Sequence, residues 1–162
     1  MSVIYKHYGA EKFNKDMVDQ AFKSAIQINS YKPMGLWACR KDSEYDWSDY
    51  LLNEGDGLED KVNSLDKFFY FKLKNSAKIL NIYKPEDIAD FVAFDDRYPD
   101  DYFMCHLDWN KLKQYYDGME VFMEQNFCNL HNSIIFYSYD IDSICVWNSN
   151  IIIPLSRKEV FD

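Results

Sequence analysis

Lys32-Pro33-Met34-Gly35-Leu36-Trp37-Ala38-Cys39, with Ser43-Glu44-Tyr45-Asp46-Trp47-Ser48-Asp49-Tyr50 shortly behind it, is the stretch on which the reading of this chain turns. Proline and glycine break whatever precedes them, and a short apolar run follows. The pattern predicts a loop, a buried strand over Gly35 to Cys39, and a short polar helix over Asp46 to Leu52. Working outward, His7-Tyr8-Gly9 closes an early strand-like segment, Ser2 to Tyr8. Asp142-Ser143-Ile144-Cys145-Val146-Trp147-Asn148 forms a late one.

Between these landmarks the pattern alternates irregularly. Glu11 to Asn29 is the clearest helix, because Phe13, Met17, Ala21 and Ala25 recur every four residues. Lys67 to Leu73 is dense in aromatics and reads as a strand, as does Ala77 to Ile82. Pro85-Glu86-Asp87 starts a helix, with proline and acids in its first turn. Leu58 to Leu65 reads as a further helix, Asp95 to Asp101 as an acidic loop, and Asp108 to Tyr116 as a helix capped by Asp108. Met119 to Phe122, Ser133 to Tyr139, Ser143 to Trp147 and Ile151 to Leu155 read as strands. Helices interrupt a mostly β core, so the expectation is an α+β fold in one domain, residues 1–162.

Composition narrows the function classes. With 162 residues the chain can bury a real core, and 13 Tyr and 12 Phe mean that rings must build much of it. The net charge of −9 repels phosphate backbones, which argues against a general nucleic-acid binder. No apolar run approaches the length of a membrane span, and the first residues lack a signal-peptide layout, so a soluble cytoplasmic protein is expected. Four cysteines (Cys39, Cys105, Cys128, Cys145) read as free thiols. Cys128 and His131 have chelating spacing, but the adjacent Cys105 and His106 do not, and no metal is expected. Neither a phosphate-binding glycine loop nor a nucleophile elbow is present.

The order of landmarks resembles the ADP-ribosyltransferase fold, in its diphtheria-toxin-like and poly-ADP-ribose-polymerase-like branch. That resemblance implies a split, mostly antiparallel sheet with peripheral helices. It implies NAD as substrate, with transfer of ADP-ribose to an unknown acceptor. His7 matches the family histidine that bonds the nicotinamide ribose, and Gly9 matches the glycine that normally follows it directly. Gly35 and Leu36 match the second-strand motif. Ser43 matches the serine on the nicotinamide amide, and Tyr45 or Tyr50 the tyrosine that stacks on the ring. Asp142 stands where the family has its late glutamate, one methylene shorter, and Glu120 is a second candidate for the acid. Lys32, Arg40 and Lys41 are the cations nearest in sequence for a pyrophosphate.

The same residues also carry plain structural readings. His7 reads as a satisfied strand residue, Ser43 and Tyr45 as caps and packing, and Asp140 and Asp142 as a solvated strand edge. From a different class, an acidic, tyrosine-rich protein also fits an inhibitor or immunity-type role against a basic partner protein.

Overall fold

The computed structural model describes residues 2–24, 33–54, 65–94 and 105–161. It is an α+β fold built on a seven-stranded, mostly antiparallel sheet. In chain order the elements are β1 (Ile4–Tyr8), α1 (Lys15–Ser24), β2 (Leu36–Arg40), α2 (Trp47–Glu54), β3 (Phe68–Leu73) and β4 (Ile79–Ile82). A 3-10 helix, Pro85–Phe91, leads to β5 (Val92–Phe94), β6 (Cys105–Leu107), α3 (Trp109–Tyr115), β7 (Gly118–Val121), α4 (Phe127–His131) and β8 (Ser143–Val146). A second 3-10 turn, Ser149–Ile151, precedes β9 (Ile152–Leu155) and α5 (Arg157–Phe161). The strands lie in the order β4-β7-β8-β2-β1-β3-β9, while β5 and β6 pair apart as a two-stranded ribbon. Among the described residues the one parallel pairing is β4 on β7.

Each face of the sheet carries its own core, and the alternation of strand side chains decides which residue goes where. Ile144 and Val146 of β8 join Leu36, Phe69, Phe71 and Val18 of α1. Cys145, between them, joins Met119, Val121, Leu112, Leu130, Phe136 and Tyr139 on the other face. A Cβ on Gly35 would stand 2.6 Å from the Val146 carbonyl oxygen, and one on Gly118 2.6 Å from that of Cys145. Two glycines thus let the chain press onto β8 from either side.

The expected elements over the described residues mostly form, with ends moved by a few residues. Asp108 caps α3 by accepting the Lys111 amide. The helix expected to start at Glu11 begins at Lys15, because the Asn14 side chain accepts the Asp16 amide there. The segment Pro85–Phe91 is a 3-10 helix rather than an α-helix. The helix at Leu58, the acidic loop at Asp95, and the second half of the Glu11–Asn29 helix lie outside the described residues.

One expectation is overturned. Ser133 to Tyr139 is not a strand but a run of tight turns, in which Ser133, Phe136 and Tyr139 donate their amides to Leu130, Ser133 and Phe136. Its residues have high strand propensity, yet Ser133, Ile135, Phe136 and Tyr139 are buried, and Ser133, Phe136 and Tyr139 recur every three residues. That spacing is one helical turn, not an alternation, so packing onto Leu130 and Trp37 wins over local preference.

Candidate functional site

The sheet parts at its centre. β1 pairs with β3 along its whole length, from Ile4 to Tyr8. β2 follows β8 through Leu36, Trp37 and Ala38. Between β1 and β2 only Tyr5–Arg40 and Lys6–Cys39 are in register. Beyond them the His7 side chain replaces the ladder, with Nδ1 2.6 Å from the Trp37 carbonyl oxygen. A carbonyl only accepts, so Nδ1 carries the hydrogen and Nε2 is left as an acceptor. Burial holds the imidazole below its ordinary pKa, against the opposing pull of that carbonyl, so the ring is neutral at pH 7.

A cleft of about 280 Å³ opens at this parting, at the small end of the range for ligand sites. Rings from Tyr8, Trp37, Trp47 and Tyr139 line it, with Lys6, His7, Cys39, Asp140 and Ser143. Tyr139 packs on Trp37 with ring centroids 5.7 Å apart, and Phe69 lies 5.0 Å from the His7 ring.

One wall is held by a polar network. Asp46 caps α2, with Oδ1 accepting the amides of Ser48 at 2.7 Å and Asp49 at 3.3 Å, while its own amide donates to Asp49. Its Oδ2 accepts the Tyr8 hydroxyl at 2.5 Å and lies 3.7 Å from Lys6 Nζ. Lys6 also donates to the Tyr8 hydroxyl oxygen and sits over the Phe68 ring. Burial alone would raise the Asp46 carboxyl, but the hydrogen bonds from Ser48, Tyr8 and two backbone amides outweigh it and hold it low. Burial and the Asp46 contact push the Tyr8 hydroxyl far above its ordinary range, so it acts as a donor and not as a base. Burial also pushes the Cys39 thiol up to about 11, which makes it a poor nucleophile at neutral pH.

The residues singled out in the sequence are distributed unevenly around this cleft. His7 lines it. Gly9 follows β1 with φ +100°, and its amide donates to the Lys67 carbonyl at 2.7 Å, so glycine is required for the turn. Gly35 is pressed against β8, and Leu36 is buried in the core beneath α1. Ser43 makes a turn, its amide donating to the Arg40 carbonyl. Tyr45 is half-buried but does not line the cleft. Tyr50 stands one layer behind it, stacked on Trp47 at 5.3 Å and 21°.

Neither candidate acid lines the cleft. Glu120 is buried, accepting Arg40 Nε at 2.6 Å, Arg40 Nη2 at 3.0 Å and the Tyr5 hydroxyl at 3.2 Å. Asp142 accepts the Glu124 amide at 2.7 Å and so fixes the approach to β8. Asp140 is the carboxylate beside the cleft that the sequence did not single out. Among the expected cations, Arg40 is taken by Glu120, Lys41 donates to the Val160 carbonyl and covers Phe161, and Lys32 lies outside the described residues. Lys6 is the cation that reaches the cleft. Among the described residues no three metal-ligating side chains converge, and no helix is long and apolar enough to cross a membrane.

Comparison with protein-family models, with characterised proteins and with solved structures returns no match to this chain.

The neutral His7 has a measurable consequence. Between its lowered folded pKa and the ordinary 6.5, the unfolded chain binds a proton that the folded chain refuses. Stability therefore falls as pH drops from 7 to 5, by at most about 1.4 kcal/mol per pH unit for one group. Urea midpoints at pH 7, 6 and 5 should show that loss in the wild type and a flatter profile in His7→Gln. An equal loss in both would assign the effect to other groups.

Proposed function

We propose that the cleft at the parting of β1 and β2 binds the nicotinamide–ribose half of NAD, in a domain of ADP-ribosyltransferase-like design. One observation carries this reading. Segments of the three landmarks, His7-Tyr8 of β1, Trp37-Ala38 of β2 and Ser143 at the start of β8, line one cleft where His7 interrupts the β1–β2 ladder, and of the residues matched to that family His7 lines it. A neutral imidazole with a free acceptor nitrogen suits a ribose hydroxyl, and flat aromatic walls suit a planar base. The volume suits a nucleoside-sized group, with the rest of the dinucleotide outside the cleft.

Breaking the nicotinamide–ribose bond develops positive charge on the sugar, which a carboxylate must stabilise. Glu120 is committed to Arg40 and Tyr5, and Asp142 to the Glu124 amide, which leaves Asp140 as the carboxylate lining the cleft. Binding is therefore the supported part of the reading, and turnover depends on Asp140. Titration calorimetry with NAD should give binding for the wild type and at least a tenfold weaker constant for His7→Ala, with NAD binding kept in Asp140→Ala. Nicotinamide release present in the wild type and lost in Asp140→Ala would add catalysis to the reading. No heat from wild type at millimolar NAD would sink it and favour an acidic protein that covers a basic partner.

A further inference from the structure

We propose that Arg157 and Tyr70, with Lys41 beside them, bind a terminal phosphate group on the face of the β1, β3 and β9 half of the sheet that looks away from α1. The site is separate from the nicotinamide reading. None of the three residues lines the cleft at β1 and β2, and NAD has a pyrophosphate bridge but no terminal phosphate.

Strand alternation builds the face. In β3, Phe69 and Phe71 enter the core beneath α1, so Phe68 and Tyr70 point the other way. Tyr70 pairs with Lys6 of β1 and with Leu155 of β9. Past Leu155 the chain turns into α5, where Arg157 and Phe161 are four residues apart and share one side of the helix. That side returns to β3. Phe161 meets Tyr70 edge-on at 5.9 Å, Phe68 meets it at 5.6 Å, and the Arg157 guanidinium lies 5.4 Å from the Phe68 ring centre. Lys41, next after β2, holds its ammonium 4.6 Å from the Phe161 ring centre.

The mark of a ligand site here is a set of donors that the protein leaves unspent. Tyr70 is 8% exposed, yet its hydroxyl has no hydrogen-bond partner among the described residues. Burial raises its pKa, with the Arg157 charge pulling the other way, so it is a donor at neutral pH and lies in the field of the guanidinium. Phe68 holds that guanidinium in place, but among the described residues it makes no hydrogen bond or ion pair, and its fork of N–H donors stays open. The contrast is Arg40, which is spent on Glu120. Lys41 uses one donor on the Val160 carbonyl.

The neighbouring carboxylates are occupied. Asp46 is met by Lys6 at 3.7 Å, and Glu159 turns back to Ser156, accepting its amide at 2.8 Å and its hydroxyl at 2.7 Å. A carboxylate ligand would bring two oxygens and one charge. A phosphate monoester brings three oxygens and close to two charges at pH 7, which matches a guanidinium edge, a hydroxyl and a second cation.

The test is calorimetry on the full chain at low salt, with inorganic phosphate, phenyl phosphate and benzoate as probes. Wild type should bind both phosphates, and phenyl phosphate more tightly than benzoate. Arg157→Gln should weaken phosphate binding about tenfold, in line with the loss of a charge-assisted hydrogen bond, and Arg157→Lys should recover only part of it. Tyr70→Phe should weaken binding several-fold with the melting temperature unchanged, since the hydroxyl holds no part of the fold. His7→Ala should bind phosphate as wild type does, and so should Lys78→Gln, beside β4 at the far edge of the sheet. Benzoate held as tightly as phenyl phosphate would overturn the choice of phosphate. Equal losses in Lys78→Gln and Arg157→Gln would reduce the site to general charge attraction, and a loss in His7→Ala would move it into the cleft. No binding of phosphate by the wild type would overturn the proposal and leave the NAD reading untouched.

Discussion

Arg40→Ala should cost about 2–4 kcal/mol of stability, and considerably more than Glu120→Gln. Breaking a buried ion pair by deleting one partner typically costs about 3–5 kcal/mol, because the other charge is left in a poor solvent. The two partners here are unequally buried, with side-chain exposures of 33% for Arg40 and 6% for Glu120. Water reaches the guanidinium, which trims the effect below the fully buried case. It does not reach the carboxylate, which sits on β7 between Ile144 of β8 and the Tyr5 hydroxyl. Removing Arg40 strands a charge, whereas Glu120→Gln leaves a neutral amide that can still accept from Tyr5, opposite a cation that can turn to solvent. Arg40 also lies over the Phe122 ring, and Phe122 stacks on Tyr83 at 4.4 Å, so its loss unpacks that edge as well. Replacing both partners, as Arg40→Met with Glu120→Leu, should recover much of the loss. Urea unfolding of the four proteins decides it. A Glu120→Gln as damaging as Arg40→Ala would mean that the carboxylate does more than balance a charge. NAD binding unchanged in a folded Glu120→Gln is expected, since Glu120 serves the sheet and not the cleft.

The strand landmarks were legible because each depends on local chemistry. Pro33 and Gly35 break the chain before β2, the aromatic run fills β3, and Asp108 announces α3. The landmark segments His7-Tyr8, Trp37-Ala38 and Ser143 do converge on one cleft. Which side chain in each segment faces it was not legible, because that depends on register. Asp142 and Glu120 look alike as acids in the sequence. Their roles are set by the Glu124 amide and by Arg40, which lie 18 and 80 residues away. Trp47 carried a signal that could have been used: Asp46 and Asp49 are spaced as a reciprocal cap, which fixes the start of α2 and hence the side on which residue 47 projects. Tyr139 carried no such signal, since its place depends on long-range packing against Trp37.

That packing supplies the second large effect. Tyr139→Ala and Phe136→Ala should each cost about 3–5 kcal/mol, the usual loss for a large aromatic truncated in a core, and Tyr137→Ala less than about 1. The ranking separates two architectures for one segment. In a strand, residues 135, 137 and 139 would share the buried face and Phe136 would point away. In the turns that form, Phe136 is fully buried and Tyr139 is 2% exposed, with their rings 5.5 Å apart, while Tyr137 is 65% exposed beside His131. Tyr139 also backs Trp37, so its truncation should loosen the cleft wall and weaken ligand binding more than Phe136→Ala does at equal stability loss. Denaturation midpoints for the three alanine variants, with NAD titrations on those that remain folded, give both comparisons. A costly Tyr137→Ala with a mild Phe136→Ala would restore the strand. Equal binding by Phe136→Ala and Tyr139→Ala would detach Tyr139 from the cleft and leave it a core residue alone.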